Sequence, residues 1–404
     1  MLSSFDYIKP GATWPTTSDR FRQDLAIENT KLYRGELDRV WPDVVVDQRT
    51  VKVNWFKRVT EFWQLALFGS APVFSDPVEA YVDPMLQASR LSQRDLSRFG
   101  QAVLLATTEG ADTKFTAVPP YRWQPVADPA TNAVLGHVIG MPYQTKPEDI
   151  NVSPDMIRMI LVDNNGMTIE QRYSYNNTAL GTLQNTTDLP AVHRVYTIDQ
   201  DVTDDHDPIG TYNAYAHSDY EQIKDLVRQV SIEYALIAKI NRYHSDPHLY
   251  HDERTQLPTI QGSMAIPVPA EGTKPGYILY ESDTGMLARF QYIGRLLREI
   301  LSLTGLPDNL FEMTTSGQAV SGTSLSMRTM PMQMKIEDLR RAWEQLWQRA
   351  LTDLTGTPYT DTITWPRPGF PNSLEEAETE AVRIESGTTT AAEGRERLDR
   401  GTGD

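Results

Sequence analysis

Residues 281–354 read ESDTGMLARFQYIGRLLREILSLTGLPDNLFEMTTSGQAVSGTSLSMRTMPMQMKIEDLRRAWEQLWQRALTDL. In the first part Met286, Phe290, Ile293, Leu297 and Ile300 recur three or four positions apart, which places them on one face of a helix with about 3.6 residues per turn. Asp283 stands where it can cap that helix, and Gly305 followed by Pro307 stops it. The second part restarts after Ser321 and Gly322 and puts Ile336, Leu339, Trp343, Leu346, Ala350 and Leu354 on one face. Pro331, near its beginning, predicts a kink, because proline lacks the N–H of the helical bond and its ring crowds the preceding turn. Between the two helices Asp308–Ser321 is a loop rich in Thr, Ser and Gly.

The same period recurs upstream. Residues 218–243, SDYEQIKDLVRQVSIEYALIAKINRY, open with Ser218 and Glu221 at capping-box spacing and carry Ile223, Leu226, Val227, Val230, Tyr234 and Ile237 on one stripe. A helix over that span would be about 39 Å long at about 1.5 Å per residue. Residues 244–282 are turn-rich with short extended runs, too compact for a core of their own. Helix, small β excursion and returning helix together describe a stalk with a cap.

The N-terminal half has a different pattern. Residues 1–11 read as a loose arm, and Ser18–Glu36 holds Phe21, Leu25, Ile27, Leu32 and Tyr33 in a broken helical pattern closed by Gly35. A β-branched run, VVVDQRTVKV at 44–53, precedes a helix at Val53–Leu67 that Gly69 and Pro72 stop. A further helix is predicted over Asp83–Phe99, after which Gly100 opens the strand AVLLAT. From there to about Tyr212 the pattern is β, through RWQPVADPATNAVLGHVIGMPY, MTIEQRYSYNNTALGTLQNTT and AVHRVYTID, with Asp-Pro and Thr-Asn turn signals. The fold class is α+β, with a helix-flanked antiparallel sheet. After Thr355, ITWPRPGFP reads as a strand with a proline-fixed exit, Ser373–Ile384 as a capped helix and TTTAAEGRERL as a further short helix.

A chain of 404 residues with 40% apolar content can bury a sizeable core. The absence of cysteine excludes disulfides, thiolate metal sites and a cysteine nucleophile, and it fits a reducing cytoplasm. No basic and apolar leader is seen, and the longest apolar run, FWQLALFGSAPVF, is too short to span a bilayer, so neither secretion nor membrane insertion is expected. The N-x-T patterns at Asn176 and Asn185 therefore carry no expectation of glycosylation. A net charge of −16 argues against gripping duplex DNA by phosphate neutralisation and is compatible with DNA that passes without sticking; it also serves solubility.

The order of the C-terminal pieces resembles a known arrangement. A helix ending in RLLREILSLTGLPDNL, a short polar loop, and SGTSLSMRTMPMQMKIEDL running into a long helix are similar to the corresponding stretch of tailed-bacteriophage portal proteins of the SPP1-like family. Thr323 and Ser324 depart from the small apolar residues usual after Ser-Gly, and the Met-rich run around Pro331 replaces a Leu-rich one. The resemblance implies a wing over residues 1–217, a first stem helix over 218–243, a clip over 244–282 and a second stem helix over 283–304. It further implies a tunnel loop over 305–321, a long kinked wing helix over 322–354, and a wing strand with a C-terminal crown over 355–404. It implies a ring homo-oligomer, a dodecamer, at one capsid vertex of the virion, assembled in the host cytoplasm and threaded by double-stranded DNA. The partners implied are the terminase large subunit, a head-tail adaptor and the major capsid protein. On this reading Ile223, Leu226, Val230, Ile237, Phe290, Ile293 and Leu297 make subunit contacts in the stem, and His248, His251, Asp252 and Glu253 lie on the docking surface of the clip. Asp308, Glu312, Thr314, Thr315, Ser316 and Gln318 then face DNA. That loop carries no Lys or Arg, so it is expected to surround DNA closely without gripping phosphate.

Signatures of chemistry are sparse. There is no G-x-x-x-x-G-K-[ST], no G-x-G-x-x-G after a strand, no G-x-S-x-G and no H-E-x-x-H, and no cofactor is expected. His244, His248 and His251 with Asp246, Asp252 and Glu253 form the one cluster with metal-ligating chemistry. A single turn-rich segment rarely holds three ligands in tetrahedral geometry, so the cluster reads as a polar, pH-responsive surface that meets a partner. Asp199, Asp201, Asp204, Asp205 and Asp207 lack the glycine and terminal Glu of a calcium loop and read as a solvated turn. Met327, Met330, Met332 and Met334 are either gap-filling core or part of a helix that bends. Two other classes stay open: an α+β hydrolase using the His244–Glu253 cluster, and a head-tail adaptor.

Overall fold

The computed structural model describes residues 5, 8–15, 20–45, 53–74, 78–110, 112–127, 134–143, 154–163, 166–176, 179–189, 192–200, 218–245, 248–252, 265–268, 276–278, 283–307 and 322–366. Helices α1 (Arg20–Tyr33), α2 (Leu37–Val40), α3 (Trp55–Phe68) and α4 (Glu79–Phe99) come first. Eight strands follow: β1 (Gln101–Glu109), β2 (Asp112–Ala117), β3 (Trp123–Ala127), β4 (Val134–Tyr143), β5 (Met156–Asp163), β6 (Thr168–Tyr175), β7 (Leu180–Asp188) and β8 (Val192–Asp199). Then come α5 (Lys224–Ser245), the short strands β9 (His248–Asp252), β10 (Ala265–Val268) and β11 (Gly276–Ile278), α6 (Asp283–Leu303) and α7 (Gly322–Thr355). The α+β class is observed. The contacts divide the chain into one unit of Met1–Asp24, Thr60–His217 and Met334–Asp404 and another of Leu25–Val59 and Ser218–Gln333.

The first unit contains two antiparallel sheets, ordered β2-β1-β8 and β3-β4-β5-β6-β7. Val103, Leu105 and Val195 of the smaller sheet share one core cluster with Trp123, Ile139, Ile160 and Val162 of the larger, so the sheets pack face to face. The opposite face of the five-stranded sheet carries a second core of Val138, Ile157, Met159, Leu161 and Tyr173. Strand β5 is therefore apolar on both faces, and its run MIRMILVD has no alternation for a period-two reading to find.

The cover of that second face corrects an expectation. Far from a loose arm, residues 5 and 8–15 lie on the sheet, with Phe5, Ile8 and Trp14 buried in its core. The Gly11 N–H donates to the Leu180 carbonyl at 2.6 Å, the Leu180 N–H donates back to Ala12 at 2.9 Å, and the Tyr173 hydroxyl donates to the Ile8 carbonyl at 3.1 Å. Gly140 makes room for the arm, since a Cβ there would overlap the Trp14 ring.

Helix α4 ends where Gly100 takes φ 73° and returns its N–H to the Leu96 carbonyl at 2.8 Å. Its buried side meets α7, where Ile336, Leu339, Trp343, Leu346 and Ala350 are buried and Leu354 is half-buried. Two indole N–H groups find acceptors there: Trp343 donates to Gln93 Oε1 at 2.7 Å and Trp347 to Ser89 Oγ at 2.9 Å. Helix α7 continues through Pro331.

In the second unit Asn54 caps α3, accepting the Lys57 N–H at 2.9 Å, and its amide donates to the Tyr33 carbonyl at 2.8 Å beside Gly35. Helix α5 starts at Lys224, not at Ser218 as the capping-box spacing predicts, and runs to Ser245. The reason is tertiary: Ser218 Oγ accepts from Asn29 Nδ2 at 3.3 Å, and buried Tyr220 packs its ring 4.7 Å from Phe56. Residues 219–223 form turns around that plug. The β-branched run at 46–52, the short helices predicted beyond residue 366 and most of the acidic loop, residues 201–207, lie outside the described residues.

Candidate functional site

Two helices with a small sheet between them in the chain form the candidate. Helix α5 buries Val227, Val230 and Ile237, α6 buries Ile293, Leu296, Ile300 and Leu301, and the two pack together. Glu233, 8% exposed, crosses the seam: Arg289 donates to its Oε2 at 2.6 Å and Gln229 to its Oε1 at 3.3 Å. Such a charge-assisted bond fixes register as well as adding attraction. On its other side α5 is tied down by Arg228, which donates to both oxygens of Asp43, and by the Lys224–Glu28 pair at 2.9 Å. The Arg228 hydrogen bond holds the Asp43 carboxyl below its ordinary range, but both groups are exposed and the pair is screened by water. Gly305 ends α6 with φ 72°, and the next N–H, of Leu306, returns to the Leu301 carbonyl at 2.8 Å.

Of the residues expected at stem contacts, Ile223, Val230, Ile237 and Ile293 are buried within the single chain. Leu226 and Leu297 are half-buried, and Phe290 is 48% exposed. The apolar stripe read from the sequence is thus largely used at home. Leu287 at 59%, Phe290, and Gly294, whose missing Cβ would meet nothing within 4 Å, stand at helical spacing; Tyr292 and Leu303 are also exposed, on the opposite side of the helix. Leu287 and Tyr292 were not singled out by the sequence reading, since a helix with apolar residues on more than one face gives no sign of which will be covered.

The small sheet has β9 at its centre, parallel to β10 and antiparallel to β11. His248, His251 and Asp252 are backbone positions of β9, pairing with Ile278, Pro267 and Val268 in turn, and His244 falls in the last turn of α5. Asp246 and Glu253 lie outside the described residues, as do Asp308, Glu312, Thr314, Thr315, Ser316 and Gln318 of the polar loop. Among the described residues no group of three His, Cys, Asp or Glu is placed to hold a metal, and no helix is long and apolar enough to cross a membrane. Of Met330, Met332 and Met334, Met332 is buried in the core while Met330 and Met334, one turn apart, are each 57% exposed.

No protein-family model and no curated protein matches the chain. Among solved structures, the chain is similar to one from the neck of a native GTA particle computed with C12 symmetry: 12% identity, TM-score 0.48, covering 98% of this chain and 97% of that one.

Proposed function

We propose that this chain is a portal-type protein, a structural ring subunit of a phage-like particle with no catalytic part. The observation that carries the reading is the outward face of α6. Helix α5 packs against α6, while Leu287 and Phe290, in the first turns of α6, stay open to water in the isolated chain. Exposed large apolar residues at helical spacing are a surface awaiting a partner. Copies of the chain arranged around an axis supply one, each presenting α6 to its neighbour in a heterologous, closing contact. The resemblance of residues 281–354 to portal sequences supports the same arrangement. In it α5 and α6 are the stem, the β9–β11 segment is the clip that meets terminase and later the adaptor, and residues 308–321 line the passage for double-stranded DNA. A net charge of −16 per copy suits a conduit that must release its cargo. The particle vertex, with the major capsid protein around the ring, is its proposed location.

The test is the mass and shape of the purified full chain. Light scattering should give about twelve times the 45.7 kDa subunit mass, and class averages by electron microscopy should show a ring with an open centre. A chain that stays monomeric at micromolar concentration, or forms a closed dimer, ends the reading.

A further inference from the structure

In the unit of the two facing sheets, a cavity of about 320 Å³ opens between β4, β5, β8 and α7. That is near the lower end of the size range of small-molecule sites, about 300–1,000 Å³. Its lining is polar and comes from four separate stretches of chain: His137, Asp163, Arg194 with Tyr196, and Arg349 with Asp353.

The hydrogen bonds decide which groups remain available. Asp353 is already engaged at both oxygens, Oδ1 by Arg194 at 3.1 Å and Oδ2 by the Tyr196 hydroxyl at 3.1 Å, so its charge and that of Arg194 cancel. Burial, and then the Asp353 charge, push the Tyr196 hydroxyl pKa upward, keeping it a donor to the carboxylate. Asp163 accepts the Met167 backbone N–H at 2.7 Å. The Trp123 indole N–H donates to His137 Nδ1 at 3.2 Å, which leaves the proton of a neutral imidazole on Nε2. Burial and the nearby Arg349 cation hold the His137 pKa down at about 4, so the ring is a neutral donor at pH 7. Arg349, one helical turn before Asp353, is exposed and forms no ion pair among the described residues.

A guanidinium and an N–H donor beside one cavity, with Asp353 neutralised by Arg194 and Asp163 holding a backbone N–H, form an oxyanion receptor. We propose that this cavity binds a small oxyanion, a phosphate or carboxylate group, between Arg349 and the Nε2–H of His137. None of the residues lining the cavity lies on α5 or α6.

Calorimetric titration of the full chain with inorganic phosphate, and separately with acetate, against sodium chloride at matched ionic strength, tests this. Saturable binding should appear and should weaken at least about tenfold in Arg349→Gln, with Arg349→Lys intermediate, because one charge-assisted bond is lost. The His137 ring signals in NMR should shift with the same ligand and saturate together with the heat. Binding of phosphate alone would assign a phosphate ligand, whereas acetate binding as tightly would assign a carboxylate. Circular dichroism checks that the variants fold. Heats no larger than those of sodium chloride for both ligands, or binding that Arg349→Gln leaves unchanged, would overturn the proposal.

Discussion

Phe290→Ser tests the assembly contact. Phe290 is 48% exposed in the isolated chain, so about 100 Å² of a side chain that can bury about 200 Å² stays open for a neighbour. At about 25 cal/mol per Å², covering it contributes about 2.5 kcal/mol at each subunit contact, and the variant should need a roughly 50- to 100-fold higher concentration to associate. The half already covered within the chain is lost as well, so by the same arithmetic the monomer should lose up to about 2.5 kcal/mol, and association is compared on protein shown to be folded. Ile293→Ala is the converse case: Ile293 is 3% exposed, and truncation should cost the fold about 2–5 kcal/mol whether or not rings form. Sedimentation velocity over a concentration series reports association, and chemical denaturation of dilute protein reports folding. If folded Phe290→Ser assembles at the wild-type concentration, then the α6 face is not the contact and the ring loses its main physical support.

Three further outcomes follow from the first unit. Trp347→Phe leaves Ser89 Oγ without the indole N–H that now donates to it at 2.9 Å; urea unfolding should show a loss of about 1–3 kcal/mol, and a loss under 0.5 kcal/mol would mean the bond is replaced by water. Gly140→Ala puts a methyl group into the Trp14 ring, so the N-terminal arm should lift, seen as faster proteolysis near residue 14 while far-UV circular dichroism is unchanged. The third concerns pH. Burial raises the Asp95 carboxyl to about 6, against the pull of Arg98 and Arg94, so its contribution to stability is complete below about pH 4 and is lost as pH rises to 6. His137 is lowered to about 4, so its contribution is present above about pH 6.5 and is lost as pH falls to 4. The two slopes oppose one another over the same window: relative to wild type, Asp95→Asn should make stability rise more steeply with pH between 4 and 6, and His137→Gln should make it fall, and unchanged slopes in either variant would refute the assignment.

Helix ends were the most legible feature of the sequence, because they are set by a few local bonds. Gly35, Gly100 and Gly305 all take positive φ where the reading stops a helix, at angles that a side chain with a Cβ adopts only under strain. The start of α5 was misread because Ser218 at capping-box spacing is diverted by Asn29, a partner far away in sequence. The N-terminal arm was misread for a related reason: its Phe5, Ile8 and Trp14 follow no period, since an extended strap laid on a sheet needs none. Strand β5 escaped notice because burial on both faces erases alternation. The oxyanion cavity left no local signal at all, its groups being brought together by four separate stretches of chain.

The stem contacts show a deeper limit of the same kind. A hydrophobic stripe records that a helix face must leave water, but the free energy of burial is nearly indifferent to whether the cover comes from the same chain or from another copy. On α6 both occur on one helix: Ile293 and Ile300 point to a face that α5 covers, while Leu287 and Phe290, at the same apolar spacing, remain outside it. The polar partners break the degeneracy. Arg289 reaches Glu233 of α5 and so fixes which side of α6 turns inward, and Gly294, with open space before it, marks the side where another backbone can approach closely. An intersubunit face is therefore better read from where an intrachain salt bridge and an uncrowded glycine divide a helix than from the stripe itself.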